Sequence, residues 1–311
     1  MNMNMRARSF FLGIWFISYS YIEAVLIRFN HIRTQDNKHI YIFFERHNPA
    51  SRVDELQLEA LSSALHLRDF RRMPKLNLMV EVPSFLTQIR APEKKVTHNL
   101  IPSVRHCPSI SAEDIEIRCV SFAAEYMLGL SRQQVEDGAF LQDRINAGTT
   151  WCCVSDITFQ DLIGEFRLQE AVIGDDLDRF CFIRPFYMSK CDKIRACEQE
   201  LRSFLEKHSI NTRERIADFI KRVSGLDSSF IKLGLTVILS DYSSHFFDIH
   251  LMRKTLLSTS SCHMAVVGGA HAQWFCDTLE QVGASRQESM SDEEGLQGDA
   301  LKHIKEIMTT Y

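Results

Sequence analysis

Residues 25–33 and 39–46 are apolar or alternating, and they flank a polar turn, Thr34-Gln-Asp-Asn-Lys38. Strand periodicity with a turn rich in Asp and Asn between predicts a leading β-hairpin. Asn48-Pro49 interrupts the pattern, and Ser51 is placed to cap a helix over 53–67. The apolar positions of that helix, Val53, Leu56, Ala60, Leu61 and Ala64, share one stripe. Residues 75–82 read as a third strand, stopped by Pro83. Prolines at 92, 102 and 108 mark a surface excursion, and 115–120 is a fourth strand candidate. From about 121 to 235 strand signals weaken and the pattern becomes mostly helical. Residues 175–208 read as one helix or two, and 211–223 as another. Strand character returns at 236–239 and 263–267, each followed by a helix, at 241–257 and 270–282. Residues 285–299 read as a solvated loop and 301–308 as a short helix.

This order predicts an α/β protein: a central mixed β-sheet flanked by helices, with a leading β-hairpin and a large helical insertion. The expected domain runs over 25–285 and is interrupted by the insertion at 121–235, with a polar loop and short helix over 286–311. The first 24 residues resemble a signal peptide, with Arg6 and Arg8 before an apolar stretch from Phe10 to Ile22. Export, periplasmic or secreted, is the expectation; a core or docking helix in a cytoplasmic protein is the alternative. The stretch is too short, and too interrupted by Ser18 and Ser20, to be expected to span a membrane.

Composition narrows the function classes. The 311 residues are 45% hydrophobic and 24% charged, with a net charge of -4. There is no basic stripe of the kind that tracks nucleic acid, no glycine-rich phosphate loop, and no CxxC pair. A nucleic-acid partner and an integral span are therefore not expected; a small molecule or a peptide is. Nine cysteines at irregular spacing read as buried, reduced side chains, and their odd number weighs against export.

Candidate chemistry collects where apolar runs stop. Tyr41-Ile-Phe-Phe-Glu45-Arg-His47 and Ala265-Val-Val-Gly268-Gly269-Ala-His271 each end near a histidine, and the run from Leu76 to Val80 ends at Glu81. Ligands of α/β sheets bind at the carboxyl ends of strands. Glu45, His47, Glu81 and His271 are thus candidates for general acid–base work, with Glu45, His47 and His271 as metal ligands. Gly268 and Gly269 allow a tight strand-to-helix turn and close approach of a bound group. The structural alternatives are a solvated strand end, a rim carboxylate and an ordinary glycine turn. Arg253 can hold an anionic group, with His250 one turn before it. Asp241, His245 and Asp248 fall on one helical face, as a polar relay or as a solvated surface. Tyr41 or Tyr242 is of a type that can ligate haem.

The order F-x-E-R-H-N, a helix with Gln57, a strand ending in Glu81, Arg253 and finally G-G-A-His271 resembles the ChaN/TraB/TIKI-like superfamily, which includes erythromycin-esterase-like members. The resemblance covers about 25–83 and 235–285. Glu45 and His47 match its G-E-x-H segment, Glu81 its strand-end glutamate, Gly268 and His271 its late G-x-x-H, and Arg253 its recurring arginine, with Asp248 as acidic partner. Phe44 stands where the family has glycine. The resemblance implies a hydrolase, metal-dependent in the TIKI type, in which histidine and glutamate activate water. It also implies two alternatives: a non-catalytic carrier of haem or another small molecule, as in ChaN-like members, or an effector on a degenerate version of the fold.

Overall fold

The structure, a computed structural model, describes residues 22–49, 52–81, 96–115, 118–138, 144–146, 151–174, 184–223 and 226–311. The chain begins with the hairpin β1 (Ile22–Arg33) and β2 (His39–Pro49), then α1 (Arg52–Phe70), β3 (Leu76–Val80), α2 (Val96–Ser103) and β4 (Ile110–Asp114). The insertion contains α3 (Cys119–Gly129), α4 (Arg132–Asp137), a small hairpin β5 (Arg144–Asn146) and β6 (Trp151–Cys153), α5 (Phe159–Gly174), α6 (Arg184–Lys207) and α7 (Ile216–Arg222). It leads into α8 (Leu226–Leu256), β7 (Cys262–Gly268), α9 (Gly269–Gln281), β8 (Ser285–Ser291) and α10 (Gly298–Met308).

The main sheet is mixed, in the order β4-β3-β7-β2-β1-β8. Strands β4, β3, β7 and β2 run parallel, while β1 is antiparallel to both of its neighbours. Every residue of β3 is buried, as are the first six of β7, because helices cover both faces of the parallel part. Alternation along β2 sorts its side chains between the two layers. Ile40, Ile42 and Phe44 enter a core shared with α3, α5 to α9; Tyr41 and Phe43 enter a second core shared with α1, α2 and α10. A bulge in β1 between Leu26 and Arg28 interrupts its pairing with β2. Buried Gln57 of α1 bonds there, its amide oxygen accepting from the Leu26 N–H and its amide nitrogen donating to the carbonyls of Leu26 and Leu296.

Several elements differ from the sequence expectation. The fourth strand lies at Ile110–Asp114, and the expected 115–120 runs into α3. Buried Cys119, Val120, Ala123, Ala124 and Met127 follow a helical period that starts inside the apolar run. The expected strand at 236–239 lies within the single 31-residue helix α8. Its run Thr236-Val-Ile-Leu has strand propensity, which packing on α6 overrides. Of the expected loop at 285–299, Ser285–Ser291 forms an edge strand on β1. Its mostly exposed polar side chains blunt that edge, and they also conceal the strand in the sequence. Of the predicted leader, residues 1–21 lie outside the described residues, and 22–24 belong to β1, paired with 47–49. Part of the 175–208 helix, 175–183, also lies outside them. The eight described cysteines are free thiols, six of them buried; Cys152 and Cys153 are half-buried. Among the described residues no helix is long and apolar enough to cross a membrane.

Candidate functional site

Three strand ends meet at one sheet edge. The register pairs Glu45 with Gly268, and the Glu81 N–H donates to the Val266 carbonyl. The chain turns directly from β7 into α9, placing His271 in the first turn of that helix. A side chain on Gly268 would begin 3.4 Å from Glu81 Oε2 and 3.6 Å from the His271 ring, both ordinary contact distances, so the two groups lie directly against this stretch of backbone. The Gly268 backbone itself, at φ -53 and ψ 141, is one that other residues adopt.

His271 stands between two carboxylates. Its Nδ1 is 2.7 Å from Asp248 Oδ1, on α8. Its Nε2 faces Glu81 Oε1 at 3.9 Å, too far for a direct hydrogen bond. An ionised carboxylate only accepts, so a neutral His271 paired in this way would carry its proton on Nδ1 and leave Nε2 free to accept one. Glu81 is held at both oxygens: Oε1 accepts from Arg118 Nη2 at 2.9 Å, and Oε2 from the Gly268 N–H at 2.7 Å. That second bond sets a negative charge at the amino end of α9, where the helix dipole favours it. The second oxygen of Asp248 accepts from the Lys190 ammonium. Lys190 Nζ also lies 3.3 Å from His245 Nδ1 and 4.4 Å from the centre of the Trp274 ring. Burial first, then Lys190, pushes His245 down to about 4, so it stays neutral beside the ammonium. The Arg118 guanidinium and the His271 ring both pack on Phe247, at 4.5 and 4.6 Å. Glu81 and His271 keep 17% and 14% side-chain exposure against 3% for Asp248, so solvent reaches the base while its orienting carboxylate stays dry.

The other candidates are distributed differently. Glu45 reaches the same edge, but strand alternation puts it on the α1 face with Tyr41 and Phe43, across the sheet from His271. The backbone of His47 continues β2; its side chain lies outside the described residues. Arg253 lines a separate cavity with His250 and Lys254. Of the expected relay face, His245 and Asp248 meet at Lys190, and Asp241 is exposed. Phe44 occupies a regular strand position opposite Arg28 and Val267, with the Arg28 guanidinium 4.9 Å from its ring centre, so no glycine is required there. Arg118 and Lys190 were not anticipated. Lys190 carried a signal, as a lysine on the buried stripe of Tyr187, Ile194, Cys197 and Leu201. Arg118 sat unmarked among the apolar residues of the expected fourth strand.

The described residues do not suit a metal. No group of three or more His, Cys, Asp and Glu side chains among them is arranged to hold an ion. Asp248 and Glu81, which would have to ligate it, are each committed to a cation, Lys190 and Arg118. Nor do the two tyrosines suit haem. Tyr41 is fully buried against Phe29 and Phe43, and Tyr242 is stacked between Phe166 and Phe246.

In comparisons with known proteins, no family model, no curated protein and no solved structure matches the chain.

Proposed function

We propose that the protein is a hydrolase in which His271 activates water as a general base. The observation that carries this reading is the placement of His271, with Nδ1 on buried Asp248 and Nε2 turned toward Glu81 across a 3.9 Å gap. A water or substrate oxygen that bridges the two atoms from the side can bond to the base and to the carboxylate at once. In this mechanism Asp248 fixes the tautomer and stabilises the imidazolium that forms when Nε2 takes the proton. Lys190 holds Asp248 in place. Arg118, beside Glu81, supplies positive charge for an oxyanion that develops on the substrate. The resemblance to the ChaN/TIKI-like superfamily supports hydrolysis, and the strand-end motifs it rests on share the edge where Glu81 and His271 lie.

The test is a panel of aryl esters, anilides and peptides turned over by the wild type and by His271→Gln. Hydrolysis of at least one class is expected, with kcat lowered about 10²- to 10⁴-fold in the variant, the usual contribution of a positioned base. Absence of turnover across the panel, or equal rates in the two proteins, refutes the proposal.

A further inference from the structure

We propose that the loops at the amino-terminal edge of the sheet, around the end of α1, form a docking surface for an anionic lipid bilayer. The surface carries Phe70, Arg71, Arg72 and Lys75 from the end of α1 and the segment leading to β3, and Arg105 from the turn between α2 and β4. Hydrogen bonds hold these segments together. Asp69 Oδ1 accepts from the Ser109 N–H at 2.8 Å, and the Leu76 N–H donates to the Ser109 carbonyl at 2.9 Å. Cys107 Sγ lies 3.2 Å from His66 Nδ1, near the end of α1. Lys75 stands six residues before Glu81. About 20 Å of extended chain therefore separates this surface from the proposed catalytic edge.

The feature that calls for a partner is Phe70 together with its surroundings. It is 85% exposed, more than any other large apolar side chain among the described residues. A lone surface phenylalanine needs no explanation, but this one is ringed by cations. Arg71, Arg72, Lys75 and Arg105 are all exposed. Arg71 donates to the Thr309 carbonyl at 3.2 Å, and among the described residues Arg72, Lys75 and Arg105 enter no ion pair. Buried Arg68 is turned inward, to the main-chain oxygens of Met308 and Tyr311. The four outward cations less the one carboxylate beside them, Asp69, leave a net +3 on a chain whose total is -4.

The backbone shows that one of these cations is kept where glycine would fit better. α1 ends in a Schellman motif: the Met73 N–H donates to the Arg68 carbonyl at 3.2 Å and the Arg72 N–H to the Asp69 carbonyl at 3.0 Å. Arg72, at φ +53, takes the left-handed position of that motif, where glycine is the usual residue. The helix dipole favours positive charge at Arg71 and Arg72. It does not account for Lys75, past the turn, for Arg105, on another segment, or for Phe70. A bilayer accounts for all of them. Its anionic headgroups attract the cations within a Debye length, and its interface takes an aromatic ring out of water. Duplex nucleic acid would satisfy the cations and leave Phe70 in water.

The experiment is co-sedimentation of the full-length protein with vesicles of phosphatidylcholine alone and of phosphatidylcholine with about one-third phosphatidylserine. Saturable binding to the anionic vesicles is expected, about ten-fold or more tighter than to the neutral ones, and lost in high salt. Lys75→Gln and Arg105→Gln should each weaken it about five-fold, the contribution of one cation near such a surface. Phe70→Ser should weaken it by about five-fold or more, through loss of the buried ring. Arg72→Gly should also weaken it about five-fold while melting no lower than the wild type, so that lost binding cannot be lost folding. The inference is overturned if neither vesicle sediments the protein, or if neutral and anionic vesicles bind it alike. It is also overturned if Phe70→Ser or Arg72→Gly binds as the wild type does, or if a DNA duplex binds more tightly than the anionic vesicles.

Discussion

The ion pair between Lys190 and Asp248 is the most consequential charge interaction in the proposed site, and its strength can be worked from its surroundings. The two side chains are 10% and 3% exposed, so neither charge is well solvated. An exposed pair contributes about 0–1 kcal/mol, whereas removing one partner of a buried pair costs about 3–5 kcal/mol, because the other is left uncompensated. Lys190→Met leaves Asp248 with the His271 Nδ1–H as a donor, which offsets part of the loss and puts this variant near the lower figure, about 3 kcal/mol. Asp248→Asn leaves the ammonium against His245 and Trp274, neither of which carries a countercharge, so it should cost about 4 kcal/mol or more. The double variant strands no charge. It should lose about 3 kcal/mol less than the sum of the single variants, and that difference is the coupling between the two residues. Urea unfolding of the four proteins at pH 7, followed by far-UV circular dichroism, measures each term. Single-variant losses that add to within about 0.5 kcal/mol would refute the reasoning, since independent sites add to that precision. The pair would then be a solvated contact, and Lys190 would have no claim to position Asp248.

Acid should weaken the fold before most carboxylates titrate. Burial lowers His31, His245 and His263 to about 4 and His250 to about 3, from an ordinary 6.5. Between those values the unfolded chain binds protons that the folded chain refuses, so stability is complete above about 6.5 and is lost as pH falls toward 4. The urea midpoint should be clearly lower at pH 5 than at pH 7; an equal or higher midpoint at pH 5 contradicts it. Gly295→Ala should destabilise by about 1–3 kcal/mol, the cost of a residue forced into a strained conformation. Gly295 has φ +111, and an added Cβ would meet Val25 Cγ1 at 2.5 Å and Val53 Cγ1 at 2.9 Å. An unchanged melting temperature would show that this corner yields easily.

The elements carried by periodicity were legible in the sequence: the hairpin, α1, β3, β7, α9, and the change from strand to helix that marks the insertion. Each has a local cause, in alternation or a helical stripe ended by proline, glycine or a polar turn. The meeting of the Glu81 and His271 motifs at one sheet edge was legible for the same reason, since parallel strands present their carboxyl ends together. What local pattern does not encode is which groups lie on the same side of that edge. One residue of offset in β2 sends Glu45 to the opposite face, and the length of α8 carries Arg253 past the site into another cavity. The cations that complete the site, Arg118 just before the insertion and Lys190 within it, lie far along the chain from the carboxylates they hold. Their roles depend on burial, because a charge removed from water requires a partner wherever the fold supplies one. The sequence by itself therefore determined the strands and the turns that end them. Tertiary packing decided which charges were buried together, because pairing energy depends on distance in space and on exclusion of water.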